Sequence, residues 1–325
     1  MIDRRSGRLS PSTKHSSMKL PRPISFIALA LAACRIAAAE EPVTFPRVSE
    51  KACPAEVVRL GTASAVVRKP PGSGPFPAVV FLHGGLNERN VDRVQREAPT
   101  MPTNSRFLAA GFVTVEGIFR SRSDDPQSPD ALADCLAVVA HVKKMPEVDP
   151  KSVVVFGHSG GGSLALELAG ETQLAAIVAG EPASIIFTGT YNKQTRRRPE
   201  QAKLMDDPRH YYTPELQKFT RDKIARISCP VLIVHGDQHP INKINDEIII
   251  PELKDAGKKV EAILYPGQPH LFVFAQEGSP EAARKCFEDS LAFFSRYTQT
   301  KAQALDRTLI TETAPGAKRR RGKTQ

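Results

Sequence analysis

A chain of 325 residues, 41% hydrophobic and 25% charged, has the composition of an ordinary soluble protein and enough length for one large α/β domain with flanking segments, or two small domains. The absence of Trp and an aromatic content of 6% argue against an aromatic sugar-binding platform. The formal charge of +10 is concentrated at the ends: residues 1–35 carry +6 and residues 318–323 carry +5, so residues 36–317 sum to −1 and offer no phosphate-binding surface.

The first segment, 1–39, reads as a leader. Met18 is a second plausible start, followed by Lys19 and Arg22 and by an apolar run from Ile24 to Ala33 interrupted by Ser25. The run is too short to span a bilayer as a helix and matches a secretory signal. Two processing readings compete. Ala37-Ala38-Ala39 before Glu40 is a small-residue cleavage site, and Leu31-Ala32-Ala33-Cys34 has the form of a lipoprotein box with Cys34 as the lipidated residue. A secreted or periplasmic protein is expected, with a membrane partner if Cys34 is lipidated. Export permits disulfides, but Cys53, Cys135, Cys229 and Cys286 allow three pairings that the sequence cannot choose among. The last three sit where a buried free thiol fits best. No Cys or His spacing resembles a zinc site.

From residue 40 to 300 one catalytic domain is expected, with residues 301–325 as a basic, disordered tail. Residues 57–67 read as strand and turn around Gly61, and 76–82 (FPAVVFL) as a strand ended by His83-Gly84-Gly85. A helix closes at Gly111 and 112–118 is the next strand. A polar loop holds Asp124-Asp125-Pro126. Asp130 is expected to cap a helix whose apolar positions Leu132, Leu136, Val139 and Val142 recur at three and four. Then come a strand at 153–156, a helix from Gly160 and a strand at 174–179. Residues 182–224 break the rhythm as a polar insert after the sixth strand, expected to form a lid or pocket wall. Its Arg196-Arg197-Arg198 reads first as a solvated charged loop and second as a site for an acidic substrate group. A strand at 231–234, a helix at 245–256 with Pro251 inside it, a last strand at 260–264 and a last helix at 280–297 complete the pattern. Alternating helices and continuous apolar strands predict an α/β fold: a mostly parallel central sheet covered by helices on both faces.

The chemistry centres on Gly157-His158-Ser159-Gly160-Gly161, which follows a buried strand and opens a helix. That context defines a nucleophile elbow: the glycines allow a turn tight enough to lift the serine hydroxyl above the sheet. The following helix aims its N–H groups at a developing oxyanion. Gly84 and Gly85, with the Gly160 N–H, are the expected oxyanion hole. His270, in a loop just past the last strand, is the expected general base, and the order nucleophile first, His last is the one such hydrolases follow. Of the other histidines, His15 lies in the leader, His141 in a helix and His210 in the insert, while His83 and His235 shape strand ends.

Residues 81–85, Val148-Asp149-Pro150 leading into 153–161, Cys229-Pro230-Val231 leading into His235-Gly236-Asp237, and residues 265–272 resemble the catalytic domain shared by prolyl oligopeptidases and dienelactone-hydrolase-like esterases. The resemblance spans roughly residues 57–297. It implies the α/β-hydrolase fold with an eight-stranded sheet and a Ser-His-Asp triad, and it carries Ser159 and His270 over. The family's His-Gly-x-x-Asp places His239 where the acid belongs. Asp237 takes first place as the substitute and Glu181, just past the preceding strand, second; Asp246 lies farther along. Dienelactone hydrolases themselves use Cys as nucleophile, so Ser159 departs from them, and fewer than a hundred residues precede the domain, too few for an oligopeptidase propeller.

The expected function is a serine hydrolase cleaving carboxylic esters through an acyl-enzyme on Ser159, without metal or organic cofactor. Its substrate would be a small-molecule or carbohydrate ester. The alternatives are a small serine peptidase acting on short peptides, and a non-catalytic binding protein that kept the fold and lost its acid.

Overall fold

The computed structural model describes residues 43–85, 87–121 and 128–313, all within the unit Pro42–Gln325. The leader with its cleavage sites and Cys34, the Asp124-Asp125-Pro126 loop and the basic run from Lys318 lie outside the described residues.

The strands are β1 (Phe45–Val48), β2 (Glu56–Leu60), β3 (Ala63–Arg68), β4 (Phe76–Leu82), β5 (Val113–Ile118), β6 (Val148–His158), β7 (Ala176–Gly180), β8 (Val231–Gly236), β9 (Val260–Tyr265) and β10 (Ile310–Thr313). Eight of them form one sheet in the order β2-β3-β5-β4-β6-β7-β8-β9. β2 and β3 form an antiparallel hairpin around Gly61, and β3 meets β5 antiparallel. Every later pairing is parallel. The predicted fold class is therefore the observed one.

The central strands read as unbroken apolar runs because both sheet faces are covered. Successive side chains alternate between faces. Val80, Leu82, Val153 and Val155 point into one core layer with Val138 of α3 (Pro129–Val142) and Leu166 of α4 (Gly160–Glu171). Val79, Phe81, Val154 and Phe156 point into the other, with Phe107 of α2 (Pro102–Ala109) and Phe294 of α11 (Pro280–Tyr297). α1 (Val91–Glu97) lies near the hairpin and packs Val94 against Val66 and Ile118. Ser128, rather than Asp130, caps α3: its Oγ accepts from the Asp130 N–H at 3.3 Å, and Asp130 sits in the first turn.

Residues 182–224 are helical rather than irregular. They hold α5 (Ser184–Phe187), α6 (Arg198–Asp206), α7 (Pro208–Tyr211) and α8 (Pro214–Arg226). α8 covers the sheet, with Ile224 in the same layer as Leu166. α5 and α6 instead build a satellite core, Ile185, Ile186 and Leu204 against Ile241, Ile244 and Ile248. Ile241 caps, and Ile244 and Ile248 belong to, a segment that runs from α9 (Asn242–Ile244) through a π-helical stretch (Asn245–Ile249) into α10 (Ile250–Asp255).

Two further readings need correction. β9 is not the last strand, and residues 301–313, assigned above to the tail, are ordered: β10 pairs antiparallel with β1, and the Leu305 N–H donates to the Ala109 carbonyl at 2.8 Å. Cys53, Cys135, Cys229 and Cys286 are all buried free thiols, each pushed up in pKa chiefly by burial.

Candidate active site

β6 ends at His158, and Ser159 stands between it and the first residue of α4 at φ 54°. Among the described residues, the non-glycine positions with positive φ are Ser159, Glu181 (48°) and Ala275 (53°). All three fall at the C-terminal end of the sheet or in the loop after His270. Each costs of order 1–3 kcal/mol, a strain that folds retain where function over-determines the backbone. The turn at Ser159 is pinned by hydrogen bonds: its N–H donates to Gly180 O at 2.9 Å, and its carbonyl accepts from Gly162 and Ala183 at 3.0 and 2.8 Å. Its neighbours must be glycine. A Cβ on Gly157 would strike the Gly161 carbonyl, and one on Gly161 the Leu82 carbonyl.

The expected oxyanion glycines gather around the serine. A Cβ on Gly84 would lie 2.8 Å from Ser159 Cβ, and one on Gly160 would lie 3.3 Å from the Gly85 carbonyl. Gly85 and Gly160 line the same cavity as Ser159. This space of about 120 Å³ is walled by Ile185, Ile186, Tyr191, Met205 and Ile241, so the insert forms its side. Arg196, Arg197 and Arg198 are exposed and absent from that wall.

His270 is hydrogen-bonded to Glu181. Its Nδ1–H donates to Glu181 Oε2 at 3.2 Å. Glu181 is fully buried and held on both oxygens: Oε1 accepts from the Gly236 N–H at 2.5 Å, and Oε2 also accepts from Asn242 Nδ2 at 2.7 Å. Asp237, given first place above, does not reach His270. It is exposed, and its Oδ1 accepts from the Gly267 N–H and from Gln238 Nε2, both at 2.8 Å. Those two bonds hold its carboxyl below the usual carboxylate range. Its work is to shape the turn that leads into the His270 loop. Asp246 is spent on His235, 3.2 Å from its Nε2. Burial pulls His235 down, but the Asp246 bond and charge outweigh it and leave the pKa raised.

Three participants were not singled out in the sequence. Asn242 bridges Glu181 Oε2 and Gly236 O. Asn245, in the π-helical stretch, ties Pro182 O to Ser184 Oγ and so anchors the chain just after Glu181. Their i, i+3 spacing on an otherwise apolar stretch was the available signal. His158 is the third. Its Nε2–H donates to the His270 carbonyl at 2.9 Å, and its ring lies 4.9 Å from the His270 ring. Burial, then the neighbouring His270 charge, push it down to about 3. His239, in the place of the family's acid, stacks on His270 with ring centroids 4.4 Å apart and planes 30° from parallel. Burial and His270 lower its pKa. Among the described residues no group of His, Cys, Asp and Glu could hold a metal ion.

A strained serine between a central parallel strand and a helix, on an eight-stranded sheet with His on a loop beyond the last parallel strand, defines the α/β-hydrolase class. The chain belongs to the Dienelactone hydrolase family, whose model matches residues 116–298. It is similar to the uncharacterized peptidase YtmA of Bacillus subtilis, at 23% identity over 67% of this chain and 89% of that one. It is also similar to the acetyl esterase Axe7A of Xylanibacter ruminicola, at 28% identity over 63% of this chain but 49%, about half, of that protein's length. Among solved structures, Thermogutta terrifontis esterase 2 phosphonylated by sarin superposes with a TM-score of 0.56 at 21% identity, over 76% of this chain and 97% of that one. An esterase of Pseudomonas putida gives 0.56 at 17%, over 76% and 83%. At such identities the likeness shows the fold.

Proposed function

We propose that this hydrolase cleaves carboxylic esters through an acyl-enzyme on Ser159. The observation that carries the reading is the hydrogen bond from His270 to a buried, doubly anchored carboxylate, Glu181, beside a serine on a strained turn. With Nδ1–H committed to Glu181, the other ring nitrogen is the basic one. It takes the Ser159 proton as Oγ attacks the acyl carbonyl, while N–H groups of the Gly84-Gly85 turn and of Gly160 meet the oxyanion. The imidazolium then gives that proton to the departing alcohol. A water, deprotonated by the same nitrogen, releases the acid and restores Ser159.

The His270–Glu181 hydrogen bond weighs against the non-catalytic scaffold that the missing Asp at position 239 favoured. The cavity beside Ser159, walled by isoleucines and Met205, fits a short apolar acyl group. The solved esterases of the same fold, and the acetyl esterase among the relatives, support ester cleavage as the chemistry. The leader at 18–39 adds an inference of export, which N-terminal sequencing of exported material checks: a start near Glu40 or at Cys34 is expected, and a soluble cytoplasmic protein that keeps Ile24 to Ala33 refutes it.

The test is hydrolysis of p-nitrophenyl esters of graded chain length, with matched peptide amides alongside. Turnover of short esters, lost by several orders of magnitude in a folded Ser159→Ala variant, is expected. Undiminished turnover in that variant, or cleavage of amides alone, refutes the reading.

A further inference from the structure

A second cavity, of about 90 Å³, lies on the far side of the Gly84 turn. His83 lines it, whereas Gly85 lines the Ser159 cavity, so the turn itself is the partition. The turn lies close to the serine: a Cβ on Gly84 would lie 2.8 Å from Ser159 Cβ and 3.0 Å from Nδ1 of the adjoining His158. Phe274 forms another wall, its ring 4.7 Å from that of His158, which in turn contacts His270.

The polar groups of this cavity are unusual for a site beneath a catalytic loop. His83 Nδ1–H donates to the Gly84 carbonyl at 2.9 Å, which leaves Nε2 as a bare acceptor. That nitrogen is buried and has no hydrogen-bond partner. Glu116 of β5 is also buried. Its Oε1 accepts from Asn104 at 3.2 Å, while Oε2 stays 3.9 Å from Arg89 Nη1, beyond a direct hydrogen bond. Arg89, partly exposed, supplies donors at the mouth, and Gln276 an amide. One unpaired acceptor, on His83, thus shares the lining with the Glu116–Arg89 ion pair and the Gln276 amide.

The occupant must match both. An alkyl group would leave the buried His83 acceptor without a partner and the Glu116–Arg89 ion pair unbridged, and an unpaired buried acceptor is costly. A carboxylate or phosphate brings acceptors alone and would meet the Glu116 carboxyl and the His83 lone pair. A hydroxyl donates and accepts at once. We propose that this second cavity receives the alcohol portion of the ester, and that the alcohol bears free hydroxyls beside the ester oxygen, as a polyol or sugar does. The two arms of the substrate then divide at the Gly84-Gly85 turn, the acyl group toward Ile185 and Ile186 and the hydroxylated alcohol toward Glu116 and Arg89. The assignment rests on the ester-hydrolase reading.

The experiment holds the acyl group constant. Three acetates are compared with the purified wild type by kcat/KM: glycerol monoacetate, n-propyl acetate and the anionic acetate ester of lactate. A preference for glycerol monoacetate of at least about tenfold over both others is expected, well inside the discrimination that a site hydrogen-bonding a hydroxyl can reach. In Arg89→Met and Glu116→Leu, checked for folding and for fluorophosphonate labelling, that ratio should fall toward one. Arg89 is partly exposed, so its variant carries the test if the buried substitution fails to fold. Equal rates on glycerol and propyl acetates, or preference for the anionic ester, overturn the subsite while leaving ester hydrolysis intact. A ratio unchanged in a folded Arg89→Met overturns it too. Failure of the wild type on every acetate, with Ser159 unlabelled, overturns the esterase reading and the subsite with it.

Discussion

A carboxylate that serves an imidazole must be dry, so that its charge is felt, and anchored, so that it cannot turn away. Glu181 meets both conditions through Gly236 N–H and Asn242, and Asp237 meets neither. Glu181→Gln is expected to lower kcat by two to four orders of magnitude, while Asp237→Asn stays within about threefold; steady-state kinetics on one ester decides, and the reverse order contradicts the site as drawn. The sequence placed both residues at one corner without ranking them correctly, for a physical reason. β7 and β8 are neighbours, with Gly180 opposite Val234, so Glu181 and Asp237, 56 positions apart in the chain, both emerge at the C-terminal ends of adjacent strands. Which side chain turns toward His270 depends on the pleat and on the positive φ of Glu181, neither of which has a local sequence signature. His239 was legible as a misfit but not as a ring stacked on His270. His239→Ala should lose about tenfold in kcat by loosening that imidazole, and His239→Phe should recover most of it. Equal loss in both variants would mean that ring contact is irrelevant.

The helices of the insert show how punctuation can mislead. The insert reads only as a polar break in the rhythm, yet Pro199, Pro208 and Pro214 each sit in the first turn of a helix, where the missing N–H costs nothing. The strands and the helices around Ser159 were readable because the sheet is buried on both faces, which writes long apolar runs into the sequence. β10 was not, since four residues (ITET) paired to a distant β1 leave no periodicity to detect. The insert's contribution is testable through its wall. Met205→Ala should enlarge the cavity beside Ser159 and shift the acyl preference toward longer chains by one or two carbons, read as kcat/KM across a p-nitrophenyl ester series. An unchanged profile would place the acyl group elsewhere.

Across the whole molecule, the buried histidines tie stability to pH. His158 titrates near 3 and His83 near 4 in the folded protein, both depressed from 6.5 chiefly by burial. The unfolded chain therefore takes up these protons first as pH falls below about 6.5, and stability, full above that value, is lost toward pH 4. Two such groups give a slope of at most about 2.7 kcal/mol per pH unit. His158→Gln should flatten that slope by roughly half in urea midpoints measured from pH 7 to pH 4.5, and an unaltered slope would show that His158 is protonated in the fold. The same burial that depresses His158 holds it against His270, so the acid-sensitive core and the candidate site share one corner of the molecule. The most direct measurement there is reaction with a fluorophosphonate, followed by mass spectrometry of the modified peptide. The account predicts one label per chain on Ser159, absent from Ser159→Ala and strongly slowed in Glu181→Gln. A folded wild-type protein that takes no label, or takes it on another residue, would contradict it.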